Sequence, residues 1–117
     1  MLIRVDPSAE EPLFSQIAGA IRQQVAGGTL GVGMKLPPAK LLAEQLDVNL
    51  HTVLRAYQQL RDEGLVELRR GRGATITAQA SGVEALVDDV DALLAKGEQL
   101  GVPAEALVAL LRVRADR

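Results

Sequence analysis

The chain has 117 residues, a formal net charge of −2 and an apolar fraction of 48%, which suits one folded domain plus an appendage. It has no cysteine, and so no disulfide, thiolate metal site or thiol nucleophile, and with one phenylalanine and one tyrosine its core must be aliphatic. No apolar run reaches the length of a membrane span, and the opening MLIRVDPSAEEP lacks the charged and apolar regions of a signal peptide, so a cytoplasmic protein with no membrane partner is expected.

Residues 1–11 read as an extended lead-in, with Leu2, Ile3 and Val5 available for packing. Pro12 suits the first turn of a helix, because its missing N–H would be unpaired there anyway. Leu13, Ile17, Ile21 and Val25 then recur at helical spacing up to Gly27-Gly28, where glycine tolerates the left-handed backbone that ends a helix. Thr29 to Leu36 is a glycine-punctuated connection in which a short strand near Met34–Leu36 is placed to pair with a later hairpin. Pro37-Pro38 forbids helix before this point and favours its start just after. The next helix, Ala39 to Leu46, should expose Lys40 and Glu44 and bury Leu41 or Leu42, Ala43 and Leu46.

Asp47-Val48-Asn49 makes a three-residue turn into a second helix, from about Leu50 to Glu63. Asn49 is placed to cap it, because its side chain can accept from an orphan backbone N–H. Val53, Ala56, Tyr57 and Leu60 follow the i, i+3, i+4, i+7 spacing of a buried stripe, and the opposite face holds His51, Thr52, Leu54, Arg55, Gln58 and Gln59. Gly64 ends the helix. Leu65–Arg69 and Ala74–Ala78 read as two short strands joined at Arg70-Gly71-Arg72-Gly73. By itself the outward face is a solvated helix surface, and the arginine tip is an ordinary solvated hairpin. Placed in sequence, they read as a winged helix-turn-helix, which sets one helix in the major groove of DNA while a basic tip grips phosphates or a minor groove.

From Ser81 onward, Val83, Leu86, Val87, Val90, Leu93, Leu94 and Leu100 describe one helix with a broad apolar face, stopped by Gly101. Pro103 opens a last helix containing Leu107, Val108, Leu110 and Leu111. This antiparallel pair has more apolar face than it can bury alone. It either folds back on the winged domain or forms a dimer contact about a two-fold axis. The expected architecture is therefore mainly α with a small β wing: residues 1–79 a winged helix-turn-helix DNA-binding domain, and residues 80–117 a helical hairpin for dimerisation.

Charge is distributed unevenly. Residues 35–76 carry seven basic and five acidic side chains, whereas residues 77–117 carry four basic and seven acidic ones. Three of the basic residues, Arg69, Arg70 and Arg72, lie within four positions. Such a footprint is slight for one subunit and suits two subunits that share the electrostatic work on DNA. Catalysis is not expected, since the only histidine, His51, has no serine or acid pattern around it. Asp88, Asp89 and Asp91 offer oxygens to a divalent ion, but with no second histidine nearby they read as a solvated acidic helix face. No metal or cofactor is implied.

The segments PLFSQIAGAIRQQVAGGTL, GMKLPPAKLLAEQLDVN and HTVLRAYQQLRDEGLVELRRGRGATI, in this order, resemble the GntR family of bacterial transcription regulators over about Pro12 to Ile76. VNLHTVLRAYQQL and the brief two-helix tail are most similar to the YtrA-type subgroup. The resemblance implies a dimeric repressor of a nearby, often transporter, operon. The tail of about 36 residues from Gly82 is too short for the larger effector-binding or aminotransferase-like domains of other branches.

Carried over residue by residue, the resemblance puts Lys40 where the family usually has a DNA-contacting arginine, which keeps the charge but loses the planar fork. Asn49 and Thr52 match polar positions at the start of the recognition helix. Arg55 matches a DNA-face position, Tyr57 a core position, and Gly71, Arg72 and Gly73 the wing. Pro38 replaces the usual serine cap of the preceding helix, and His51 replaces a common asparagine. Leu50 and Leu54 stand where many relatives carry arginine, so base preference should differ; a leucine there can touch a thymine methyl. In this reading Arg55, Arg70 and Arg72 grip the backbone, while Asn49, His51 and Thr52 position or read bases. The partners implied are a double-stranded DNA operator and a second copy through the C-terminal helices. A small-molecule effector, if one binds, would use the cleft between tail and winged domain. The alternative is a protein-interaction module on a winged-helix scaffold without specific DNA binding.

Overall fold

The computed structural model describes residues 2–71 and 73–116. The chain divides into two compact units, Met1–Glu84 and Ala85–Arg117.

In the first unit, helix α1 (Leu13–Ala26) buries Ile17, Ala18, Ile21 and Val25. Pro12 stands at its N-cap, one position before the first turn expected for it. The lead-in runs beside this helix. Ile3 enters the core, the Gln24 side chain donates to the Leu2 carbonyl, and Gln16 both accepts from the Asp6 N–H and donates to the Asp6 carbonyl. Helix α2 (Ala39–Leu46) starts after Pro38 with no side-chain cap. It buries Leu42 and Ala43, whereas Leu41 is exposed and Leu46 half-buried.

The turn out of α2 needs a left-handed residue, and Asp47 supplies it at φ 54°. Aspartate tolerates that conformation better than most residues because its short polar side chain bonds locally. Helix α3 (Leu50–Asp62) follows with Asn49 as its cap, the side-chain oxygen accepting from the His51 N–H at 2.8 Å. Val53, Ala56, Tyr57 and Leu60 are buried as the spacing predicts. Tyr57 also ties α3 to the start of α2, its hydroxyl donating to the Pro37 carbonyl at 2.6 Å.

Past α3, Gly64 turns at φ 86°, which lets the Leu65 N–H reach back to the Leu60 carbonyl. Strands β1 (Val66–Arg69) and β2 (Gly73–Ile76) pair antiparallel, Val66 opposite Ile76 and Arg69 opposite Gly73. Gly73 therefore belongs to β2 rather than to the turn. The connection after α1 contributes the expected third edge. Lys35 bridges to Thr75, and Met34 and Leu36 exchange backbone bonds with Ile76 and Ala74. Helix α4 (Gln79–Ala85) follows and sends Ala80 into the core.

The single helix expected from Ser81 to Leu100 is interrupted. The chain leaves helical structure at Leu86, and α5 (Val87–Gln99) is a separate element. Val83 packs against the core of the first unit, so the apolar residues read as one stripe serve two different units. In the second unit α5 and α6 (Ala104–Ala115) are joined by Leu100–Pro103, with Gly101 at φ 73°. The two helices approach closely at Gly97. A methyl group there would lie 3.0 Å from both a Leu107 methyl and the Val102 carbonyl oxygen. Among the described residues only Gly97 and Leu107 of this unit are buried.

Candidate nucleic-acid interface

The helix-turn-helix and the wing meet along one side of the first unit. Asn49 caps α3, and its neighbours Leu50 and His51 are exposed in the first turn, with Thr52 half-buried. One turn further along, Arg55 is exposed. Lys40 is exposed on α2, and Arg70 and Gly71 are exposed at the wing tip. Arg72 lies outside the described residues. Gly71 and Gly73 adopt φ values of 77° and 75°, so both flanks of the tip use a backbone that side chains resist.

Two depressions flank α3. One, of about 260 Å³, is bounded by Pro37 and Pro38 before α2, Leu54 and Tyr57 on α3, and Leu68 to Arg70 of the wing. Leu54 is thus half-buried toward the wing and leaves the fully outward positions to His51, Arg55 and Gln58. The other, of about 340 Å³, is lined by Leu13 and Phe14 of α1 with His51, Thr52 and Arg55. Here the central carbon of the Arg55 guanidinium lies over the Phe14 ring, 3.8 Å from its centroid. In the sequence this helix shows only its apolar stripe, and Phe14 is not singled out there as a functional residue. The available signal was its rarity, as one of two aromatic side chains in the chain.

The remaining arginines of this region sort by partner. Arg69 pairs with Glu67 across alternate positions of β1 at 2.8 Å, so part of the basic cluster read in the sequence is neutralised locally. Arg61 pairs with Asp62, and Arg22 of α1 makes a two-bond pair with Glu63 at the end of α3. Among the described residues Arg55 has no carboxylate partner.

This order of elements, with a short wing after α3, matches the profile of the bacterial regulatory proteins of the gntR family over residues 13–76. The chain belongs to the GntR family. Its first unit is the family's winged-helix DNA-binding fold, mostly helical with a two-stranded antiparallel wing. It is 35% identical over 79 residues to the HTH-type transcriptional repressor YtrA of Bacillus subtilis, covering 68% of this chain and 61% of that protein. The regulator YhcF of the same organism is 31% identical over 105 residues, 86% of this chain and 87% of that protein. Among solved structures, YtrA from Sulfolobus acidocaldarius, a GntR-family transcription factor, superposes with a TM-score of 0.63 at 33% identity, over 80% of this chain and 98% of that one. The chain thus spans less than two thirds of the Bacillus YtrA repressor but nearly all of YhcF. These relatives are regulators, not enzymes. Among the described residues no helix is long and apolar enough to cross a membrane.

Proposed function

We propose that this GntR-family chain is a sequence-specific DNA-binding repressor that acts as a homodimer on an operon near its own gene, in keeping with the YtrA-type relatives. The observation that carries the reading is the shared exposure of His51, Arg55 and Gln58 on α3 beside a wing ending in exposed Arg70 and Gly71. A helix of this width fits the major groove, and a basic tip fits the flanking backbone or minor groove. In this reading Arg55, Arg70 and Arg72 contact phosphates, Asn49, His51 and Thr52 position or read bases, Leu50 offers a methyl contact, and Lys40 adds charge from α2.

The dimer rests on a second observation. In the hairpin of residues 85–117, Val90, Leu94, Val108, Leu110 and Leu111 are all exposed, and a unit with so little buried surface is not stable alone. A second copy is the occupant that suits it, because two recognition helices about 34 Å apart read two half-sites on one face of a duplex.

The test is a fluorescence titration with DNA from upstream of the chain's own gene, followed by footprinting. The expected result is a protected pair of half-sites and a salt slope that falls by about one unit in Arg70→Ala. Retention on neither that DNA nor a heparin column at low salt would favour the protein-interaction reading instead. Control by a small-molecule effector would show as a metabolite-dependent change in operator affinity.

A further inference from the structure

The stack of Arg55 on Phe14 has a chemistry that differs from every other arginine pairing in the winged unit. Arg22, Arg61 and Arg69 each face a carboxylate, which takes up donors and cancels charge. A ring does neither. A guanidinium held over an aromatic face keeps its full charge and has no hydrogen bond taken up by the ring, while the contact narrows the rotamers open to the side chain. On α3, Arg55 sits on the outward side, yet its guanidinium is drawn over α1 to the flank that also carries Thr52, away from the wing and from Leu54. At its flanks, a helix in the major groove meets the sugar–phosphate backbone rather than base edges.

We infer that Phe14, reaching in from α1 outside the helix-turn-helix, is a positioning residue that pre-orients the Arg55 fork for a phosphodiester of bound DNA. The inference rests on the DNA-binding reading above. Its physical basis is that a long side chain loses rotamer freedom on binding, and a ring already holding it removes part of that loss. Phe14 suits this role because it is only partly buried: it packs against the core and still meets the guanidinium.

Because a phosphate contact is indifferent to sequence, the probe is a fluorescein-labelled mixed-sequence duplex of about thirty base pairs, titrated with the full chain at low salt. Phe14→Leu, which keeps an apolar contact with the core, is expected to weaken binding by about two- to five-fold. Phe14→Tyr, which keeps the ring face, is expected to bind as the unmodified chain does. Arg55→Ala is expected to lower the salt slope by about 0.9, whereas Phe14→Leu should leave the slope in place because the phosphate contact is still made, only less often. In the Arg55→Ala background, Phe14→Leu should have no further effect.

An equal loss from Phe14→Leu with and without Arg55 would overturn the inference, since a purely structural role of the ring gives that result. So would failure of Phe14→Tyr to restore binding, or a Phe14→Leu titration that superposes on that of the unmodified chain. Failure of the unmodified chain to bind the duplex at all would instead refute the DNA reading on which the inference rests.

Discussion

Tyr57 offers the sharpest test of how α2 and α3 are joined. It is the only tyrosine in the chain, it is 3% exposed, and its hydroxyl donates to the Pro37 carbonyl at 2.6 Å. Burial penalises the phenolate and pushes this hydroxyl well above the usual phenol range. Tyr57→Phe removes the donor and leaves the Pro37 carbonyl one partner short, a loss of about 1 kcal/mol at neutral pH. For a unit of this size that corresponds to a fall in Tm of about 4–8 °C.

The pH dependence has the opposite sign. A folded pKa raised above the unfolded value gives stability that is complete below about pH 10 and is lost as pH rises further, because only the unfolded chain releases the proton. Above about pH 10 the unmodified chain should lose about 1.4 kcal/mol per pH unit more than Tyr57→Phe does. The two stability curves should therefore cross between about pH 10 and 11. Urea melts at a series of alkaline pH values give both curves, and tyrosinate absorbance, which reports this one residue, should appear only with unfolding. A tyrosinate spectrum near pH 10 with the helical signal intact would refute the buried, hydrogen-bonded hydroxyl.

Three further outcomes follow from single contacts. Asn49→Ala should cost about 1 kcal/mol by leaving the His51 N–H in the first turn of α3 without its side-chain acceptor, and Asn49→Asp or Asn49→Ser should recover most of it in the same urea melt. Gly97→Ala should destabilise the hairpin by about 1 kcal/mol, because the contact of its methyl with Leu107 and the Val102 carbonyl outweighs the better helix propensity of alanine; a stabilised variant, read by circular dichroism, would mean that α5 and α6 do not approach so closely. The Arg22–Glu63 pair is more than a third exposed on both sides, so a double-mutant cycle should give a coupling of only about 0.5 kcal/mol that fades with added salt.

The amino-acid order was sufficient for the elements whose signals are local. The cap at Asn49 and the stripe of Val53, Ala56, Tyr57 and Leu60 depend on near neighbours in the chain. The glycine stops at Gly27, Gly64 and Gly101 are read in the same way, and so are the strands around the Arg70–Gly73 tip. Even the pairing of Met34–Leu36 with the wing was legible, from the short strand-like run between glycines and prolines.

Tertiary structure alone decided three matters. It cut the apolar run after Ser81 at Leu86 and gave Ala80 and Val83 to the winged unit, because periodicity shows that a face is apolar but not what covers it. It paired Arg22 with a carboxylate and set Arg55 over a ring, because Arg22 and Glu63 lie 41 positions apart and Arg55 and Phe14 come from different helices. It also turned Leu54 toward the wing groove, a direction set by packing between α3 and β1 that no spacing rule within α3 contains.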